Sequence, residues 1–219
     1  MSTAVILVSG GLDSCVAAAI AQHTHALAFL HLNYRQRTQA RELKAFELLA
    51  DHFAASARLV VDVSYMHQIG GSSLLDPDMV VPTDTQEHGV PNTYVPFRNA
   101  NLLGIGVAWA ETLGAEAVYI GAHQEESFYP DCRSEFIAAY QQMVALGTRP
   151  ETHIDIRAPL ITLDKAAIVQ RGLDLKAPFD LTWSCYQSED LACGQCSSCR
   201  LRLKGFAQAR AKDPIPYAP

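Results

Sequence analysis

The residues of this chain best suited to chemistry fall into two short runs, Ser9-Gly10-Gly11-Leu12-Asp13-Ser14 near the start and Cys185, Cys193, Cys196 and Cys199 near the end. In the first run the glycines leave main-chain N–H groups open to close approach by an anion, and the hydroxyls of Ser9 and Ser14 add donors. Asp13 is an acceptor instead, suited to a metal ion or to fixing the loop. Set between a strand and a helix, such a run becomes a phosphate site, because the helix N-terminus presents unpaired N–H groups and the positive end of its dipole. No lysine closes the motif in the manner of a Walker A loop, so a cradle for β and γ phosphates is not indicated. Taken alone, the glycines and serine fit an ordinary turn capped by aspartate equally well.

The cysteines carry a second chemistry. Cys193, Cys196 and Cys199 are separated by two residues each, and Cys185 lies eight residues before Cys193. Four thiolates form the closed ligand set of a structural zinc ion. Soft sulfur ligands disfavour magnesium or calcium, and an iron–sulfur cluster is the alternative. With every coordination position taken by sulfur, the metal is assigned a structural part. Cys15 and Cys132 read as ordinary buried thiols, and the eight histidines form no ligand spacing.

The hydrophobic rhythm shows which elements must position these residues. Ala4 to Ser9 reads as a strand, followed by the glycine loop and a helix from Leu12 to about Gln22. Further strands are expected at His25 to Leu32, Ala57 to Val63, Ala117 to Ala122 and Ile154 to Ala158. Helices are expected around Leu43 to Phe53, Asn99 to Leu113, Asp131 to Leu146 and Arg200 to Ala211, with a further helix start near Lys165. This alternation implies an α/β, doubly wound, Rossmann-like parallel sheet with a small C-terminal zinc-binding segment. The expected division is residues 1–177 for the nucleotide-binding domain and 178–219 for the cysteine segment and last helix. Ser64 to Pro96, with four prolines, breaks the rhythm, and a loop of that length in a compact domain is commonly functional or mobile.

Hydrophobic residues make up 49% and charged residues 18% of the 219, a globular composition with enough apolar material for a substantial core. The formal charge of −6 argues against attraction to phosphate backbones, so small-molecule partners are expected and nucleic acid is not. No signal-peptide pattern and no membrane-spanning run is found, and a reducing cytoplasm is the expected setting for clustered thiols.

Ser9 to Ser14 matches the SGGxDS signature of the PP-loop ATP pyrophosphatases, and other motifs follow in order. They are Val95-Pro96-Phe97-Arg98-Asn99, Tyr129-Pro130-Asp131-Cys132-Arg133-Ser134-Glu135-Phe136-Ile137, Pro159 to Val169, Ser184-Cys185-Tyr186, the cysteine run, Arg202 and Gly205-Phe206. Over nearly its whole length the chain thereby resembles the 7-cyano-7-deazaguanine synthases, although its gap from Cys185 to Cys193 is slightly shorter than is usual there. The resemblance implies 7-carboxy-7-deazaguanine and ammonia as substrates, ATP with Mg²⁺ as co-substrate, a homodimer, and a place in queuosine biosynthesis. It implies that Val8, Ser9, Gly10, Gly11, Leu12, Asp13 and Ser14 bind ATP, with Asp13 and Lys165 catalytic. Arg98, Asp131, Arg133 and Glu135 are then the candidates for the deazaguanine, arginine forks suiting its carboxylate and acidic groups its N–H edge.

Blander readings stand beside these: a solvated surface lysine for Lys165, and surface ion pairs or helix caps for Arg98, Asp131, Arg133 and Glu135. Two competing functions keep part of the chemistry. One is a PP-loop enzyme that adenylates a tRNA or another macromolecule, which calls for a basic surface or an added domain. The other is a nucleotide- or RNA-binding module without turnover, which calls for an aromatic or basic cysteine ribbon.

Overall fold

The computed structural model describes residues 1–82, 89–123 and 128–219. Five strands, β1 (Ser2–Leu7), β2 (His25–Asn33), β3 (Ala57–Asp62), β4 (Ala117–Ile120) and β5 (Asp155–Arg157), form one sheet in the order β3-β2-β1-β4-β5. Every pairing is parallel, with Ala4 opposite Leu27 on one side and Ala117 on the other. Parallel strands need crossovers, and seven α-helices among the described residues supply or flank them: α1 (Leu12–Ala21), α2 (Gln39–His52), α3 (Tyr65–Ile69), α4 (Arg98–Leu113), α5 (Ser134–Gly147), α6 (Lys165–Asp174) and α7 (Ser197–Gln208).

Successive side chains of a strand point to opposite faces, and β1 shows it clearly. Ala4 and Ile6 pack with Cys15 and Ala18 of α1 and Phe46 and Leu49 of α2 on one face. Val5 and Leu7 pack with Leu103 of α4 and Tyr140 of α5 on the other. All of these residues are nearly or wholly buried, so the centre of the sheet is covered on both faces, whereas the edge strands β3 and β5 leave alternate residues exposed. Strand order reverses about β1, which places the C-terminal ends of β1 and β4 at a switch point where a crevice opens.

The largest departure from the expected elements concerns the helix anticipated from Asp131. A single 3-10 turn spans Pro130–Cys132, Arg133 is extended at φ −89° and ψ 150°, and α5 starts only at Ser134. The cause lies across the fold: the Asp131 carboxylate accepts the main-chain N–H of Asn99 at 2.9 Å and so caps the start of α4. In the long segment that follows β3, α3 is the only described helix. Arg37 ties its described part down, donating to the carbonyls of Ser73, Asp76 and Met79 at 2.6–2.9 Å.

Candidate active site

The crevice at the switch point is a cavity of about 290 Å³. Ser9, Gly11, Leu12, Asp13 and Ser14 form one side of it, and Val8 lies beside them where β1 runs out. Gly10 sits at φ 85° with its position pressed on α2, where an added Cβ would lie 2.7 Å from the Glu42 carbonyl oxygen. No other residue adopts that conformation so cheaply. Gly11, the N-cap of α1, makes no side-chain cap bond, and the helix start that lines the cavity is of the kind that suits an anion. The Ser14 hydroxyl donates to the Gly11 carbonyl at 2.9 Å, and the Ser9 hydroxyl accepts from the Gly11 N–H at 3.2 Å.

Asp13 and Lys165 are 152 residues apart in sequence and meet here. The Lys165 ammonium donates to both carboxylate oxygens at 2.8 and 2.9 Å and lies 3.1 Å from Nε2 of His123. Lys165 is 7% exposed at the first turn of α6, behind the N-cap Asp164. Its stem runs over Gly205 of α7, where a Cβ would lie 2.5 Å from Lys165 Cγ, so only glycine leaves the passage open. Burial pushes the Asp13 carboxyl up, and Lys165, His123 and Arg202 outweigh it to hold the group below the ordinary carboxylate value. Arg202 lines the same wall, with its N–H groups donating to Asp213, Thr182, Ser184 and the Phe179 carbonyl.

A second charged group occupies another part of the lining. Arg98, at the start of α4, donates to the Tyr34 hydroxyl at 3.3 Å and stands 5.8 Å from the ring centre. Its Nε is buried with no hydrogen-bond partner among the described residues. Burial disfavours the charged guanidinium, and Tyr34, Tyr129, Tyr186 and Asp131 more than restore it. Burial pushes the Tyr34 phenol up to about 12 and raises Tyr129 and Tyr186 as well. The phenols therefore stay neutral, and the arginine keeps a positive charge that faces the cavity with donor capacity to spare.

The remaining candidates divide. Asp131 is 3% exposed and its carboxylate is taken up by Asn99. Arg133 and Glu135 are exposed and stand outside the cavity lining. In their place the structure brings in His123, Tyr34, Glu42, Trp183 and Tyr186. His123 had a signal, since it follows a strand end beside the switch point. Glu42 had none, being one charged residue on a surface-facing helix pattern.

The four cysteines converge. Their Sγ atoms all lie within 4.8 Å of one another, and Cys193 and Cys199 are 3.9 Å apart, close to the edge of a tetrahedron with metal–sulfur bonds of about 2.3 Å. Main-chain N–H groups of Gln187, Ser188 and Cys193 point at Cys185 Sγ, and those of Gln195 and Cys196 at Cys193 Sγ. Such donors stabilise thiolates, so the donor set fits a metal ion. The segment also walls the cavity: Trp183, Ser184, Tyr186, Ser197 and Ser198 line it, and the main-chain N–H of Trp183 donates to the Gly10 carbonyl at 2.9 Å.

Comparison with known proteins gives one consistent result. Residues 3–210 match the model of the family described as "Queuosine biosynthesis protein QueC". A 7-cyano-7-deazaguanine synthase of Chlorobium phaeobacteroides is 52% identical over 98% of this chain and 96% of its own length. Another from Nautilia profundicola is 49% identical over 99% of each. Among solved structures, the NMN synthetase of Francisella tularensis has a TM-score of 0.52 at 17% identity, covering 96% of this chain and 78% of that one. A predicted subunit of tRNA methyltransferase from Methanocaldococcus jannaschii has a TM-score of 0.52 at 13% identity, covering 100% and 93%. At such identities these two share the fold alone.

Proposed function

The chain belongs to the QueC family of queuosine biosynthesis proteins, and from that premise we propose that it is an ATP-dependent carbon–nitrogen ligase making 7-cyano-7-deazaguanine from 7-carboxy-7-deazaguanine and ammonia. The observation that carries the reading is one cavity holding both an uncapped helix start beside Lys165 and a guanidinium, Arg98, with an unspent donor. The first suits a nucleotide's phosphates. The second suits a carboxylate.

A carboxylate is a poor electrophile, so it must first gain a leaving group. Its oxygen attacks the α phosphorus of ATP and pyrophosphate leaves, giving an acyl-adenylate. Ammonia attacks the acyl carbon, AMP departs with the former carboxylate oxygen, and a proton is lost to give the amide. The amide oxygen then attacks a second ATP, pyrophosphate leaves, and loss of AMP with the two nitrogen protons gives the nitrile. In both rounds negative charge builds at the α phosphate. The first-turn N–H groups of α1 and the hydroxyls of Ser9 and Ser14 receive it, and Lys165 turns from Asp13 toward it. Asp13 holds the lysine in place between rounds, and Mg²⁺ accompanies each ATP. Arg98 keeps the base's carboxylate or amide oxygen in line with the phosphorus.

In this reading residues 1–177 carry the nucleotide chemistry, while residues 178–219 hold a structural zinc ion on Cys185, Cys193, Cys196 and Cys199 and brace the phosphate loop. No described helix is long and apolar enough to cross a membrane. A cytoplasmic homodimer acting on small molecules without a nucleic acid partner completes the proposal. The test is mass spectrometry of products after incubation with 7-carboxy-7-deazaguanine, ATP, Mg²⁺ and an ammonium salt. Nitrile formation with release of AMP and pyrophosphate is expected. Product that stops at the adenylate, or no reaction by metal-replete protein, overturns it.

A further inference from the structure

Of the acidic residues suited to a guanine-like N–H edge, Asp131 is spent on α4 and Glu135 stands outside the cavity. One carboxylate in the same lining as Arg98 is Glu42, in the first turns of α2. Its surroundings are organised to present it. The Thr38 hydroxyl, at the N-cap of α2, caps no helix N–H and donates instead to Glu42 Oε1 at 2.9 Å. The Gln36 side-chain amide donates to Oε2 at 3.0 Å. The Gln36 amide cannot turn over, because its oxygen accepts the Tyr34 N–H at 3.0 Å. Thr38 and Gln36 are 2% and 5% exposed, so both clamps are fixed.

Each carboxylate oxygen has two lone pairs, and the clamps take one on each. One acceptor site per oxygen is left, and a pair of parallel N–H donors fills such a pair of sites. A 2-amino-4-oxopyrimidine ring offers that pair in its ring N1–H and exocyclic amine. We propose that Glu42 reads this edge of the deazaguanine, making it the residue that selects a guanine-like base over its 2-deamino counterpart. The proposal rests on the ligase reading above. Arg98 then takes the carboxylate at the opposite side of the same bicycle, and the two charged residues together fix the base's orientation. Burial, with Glu189 adding to it, pushes the Glu42 carboxyl up, and Gln36, Thr38 and Arg98 oppose that trend, so the charged form, with one acceptor site open on each oxygen, gains from a ligand that supplies two more donors.

The experiment compares 7-carboxy-7-deazaguanine with the analogue lacking the 2-amino group, in the wild-type protein and in Glu42→Gln, with ATP binding measured separately by calorimetry. The wild type is expected to favour the amino-bearing base by about 100-fold in kcat/KM, the range for losing one hydrogen bond to a charged group. Glu42→Gln, which replaces an acceptor with a donor, is expected to lose at least tenfold of that preference while its Kd for ATP stays unchanged. A wild type that processes both bases equally overturns the proposal without any variant, and so does a variant that keeps the full preference. A variant weakened toward ATP and unaltered toward the base also overturns it, assigning Glu42 to the nucleotide. If the wild type converts neither base, the ligase reading fails and takes this inference with it.

Discussion

The two charged groups of the cavity are built on different plans. Around the glycine loop the lining comes from near neighbours, Ser9 and Gly11 to Ser14, and Lys165 reaches in from α6 to Asp13. Around Arg98 the lining is side chains from five separate places: Tyr34 after β2, Glu42 in α2, Arg98 in α4, Tyr129 before α5 and Tyr186 in the cysteine segment. The charges that act on Asp13 are Lys165, His123 and Arg202, whereas Arg98 is set among the neutral phenols of Tyr34, Tyr129 and Tyr186, with Asp131 as the opposite charge. The difference separates two kinds of work. In the proposed function, the loop's main-chain donors meet charge that develops during reaction, and the cage of distant side chains recognises a shape before reaction.

The cysteine segment is what the two groups share, so metal removal should have the largest effect and erase the distinction. Trp183 bonds to Gly10 on the phosphate side, and Tyr186 faces Arg98 on the other, only two or fewer residues from Cys185. Structural zinc contributes on the order of 10 kcal/mol to the folding of small segments. Stripping the metal with a chelator should therefore abolish ATP and base binding together. Calorimetry reads both, and tryptophan fluorescence should change as Trp183, 1% exposed, meets water. ATP affinity that survives in metal-free protein would show that the wall stands without its metal.

Lys165→Met comes next and should sharpen the comparison. The substitution keeps the stem that passes over Gly205 and removes the charge proposed to meet the α phosphate. A loss of about 10³-fold in kcat is expected, in line with removal of a preorganised charge from a reacting centre. KM for the base should change little, because nothing near Arg98 has moved. Steady-state kinetics with saturating ATP separates the two parameters, and an equal loss through KM would place Lys165 among the binding groups instead.

The same contrast explains what could be read in the sequence. The glycine loop between β1 and α1 and the convergence of the four cysteines were legible because each is written in near neighbours, and the sheet was legible because strands such as Val5 to Leu7 are apolar on both faces. The start of α5 was misplaced because Asp131 answers to Asn99, 32 residues away, and local periodicity carries no sign of that bond. Glu42 left no trace either, since its meaning depends on Thr38, Gln36 and the cavity that only the fold supplies. Lys165 is an intermediate case. Its motif marked it as notable, and the pairing with Asp13 across 152 residues is what shows its direction.

Arg98→Lys should break the base side alone, with a smaller effect. Lysine keeps the charge and loses the planar fork, including the Nε donor that has no partner among the described residues. A rise of about 10- to 100-fold in KM for 7-carboxy-7-deazaguanine is expected, the range for losing one of two charge-assisted bonds. The Kd for ATP should stay where it is. A parallel loss of ATP affinity would show that the two groups do not act separately.

The smallest effect concerns pH and the Asp13–Lys165 pair. The Asp13 carboxyl titrates below its ordinary value of 3.8 in the folded protein, so the unfolded chain takes up its proton first as pH falls. The pair's contribution to stability is therefore present above about 3.8 and is lost as pH drops through the lower folded value. Asp13→Asn has no such titration, and its stability deficit relative to wild type should be constant from neutral pH to about pH 5 and shrink below 3.8. The side chain is 27% exposed toward the cavity, where water screens the pair, so the deficit itself should be modest. Denaturant melts of both proteins at several pH values give the difference curve. A deficit that stays flat down to pH 3 would mean that the carboxyl is unperturbed, and that Asp13 serves by its shape and hydrogen bonds rather than by its charge.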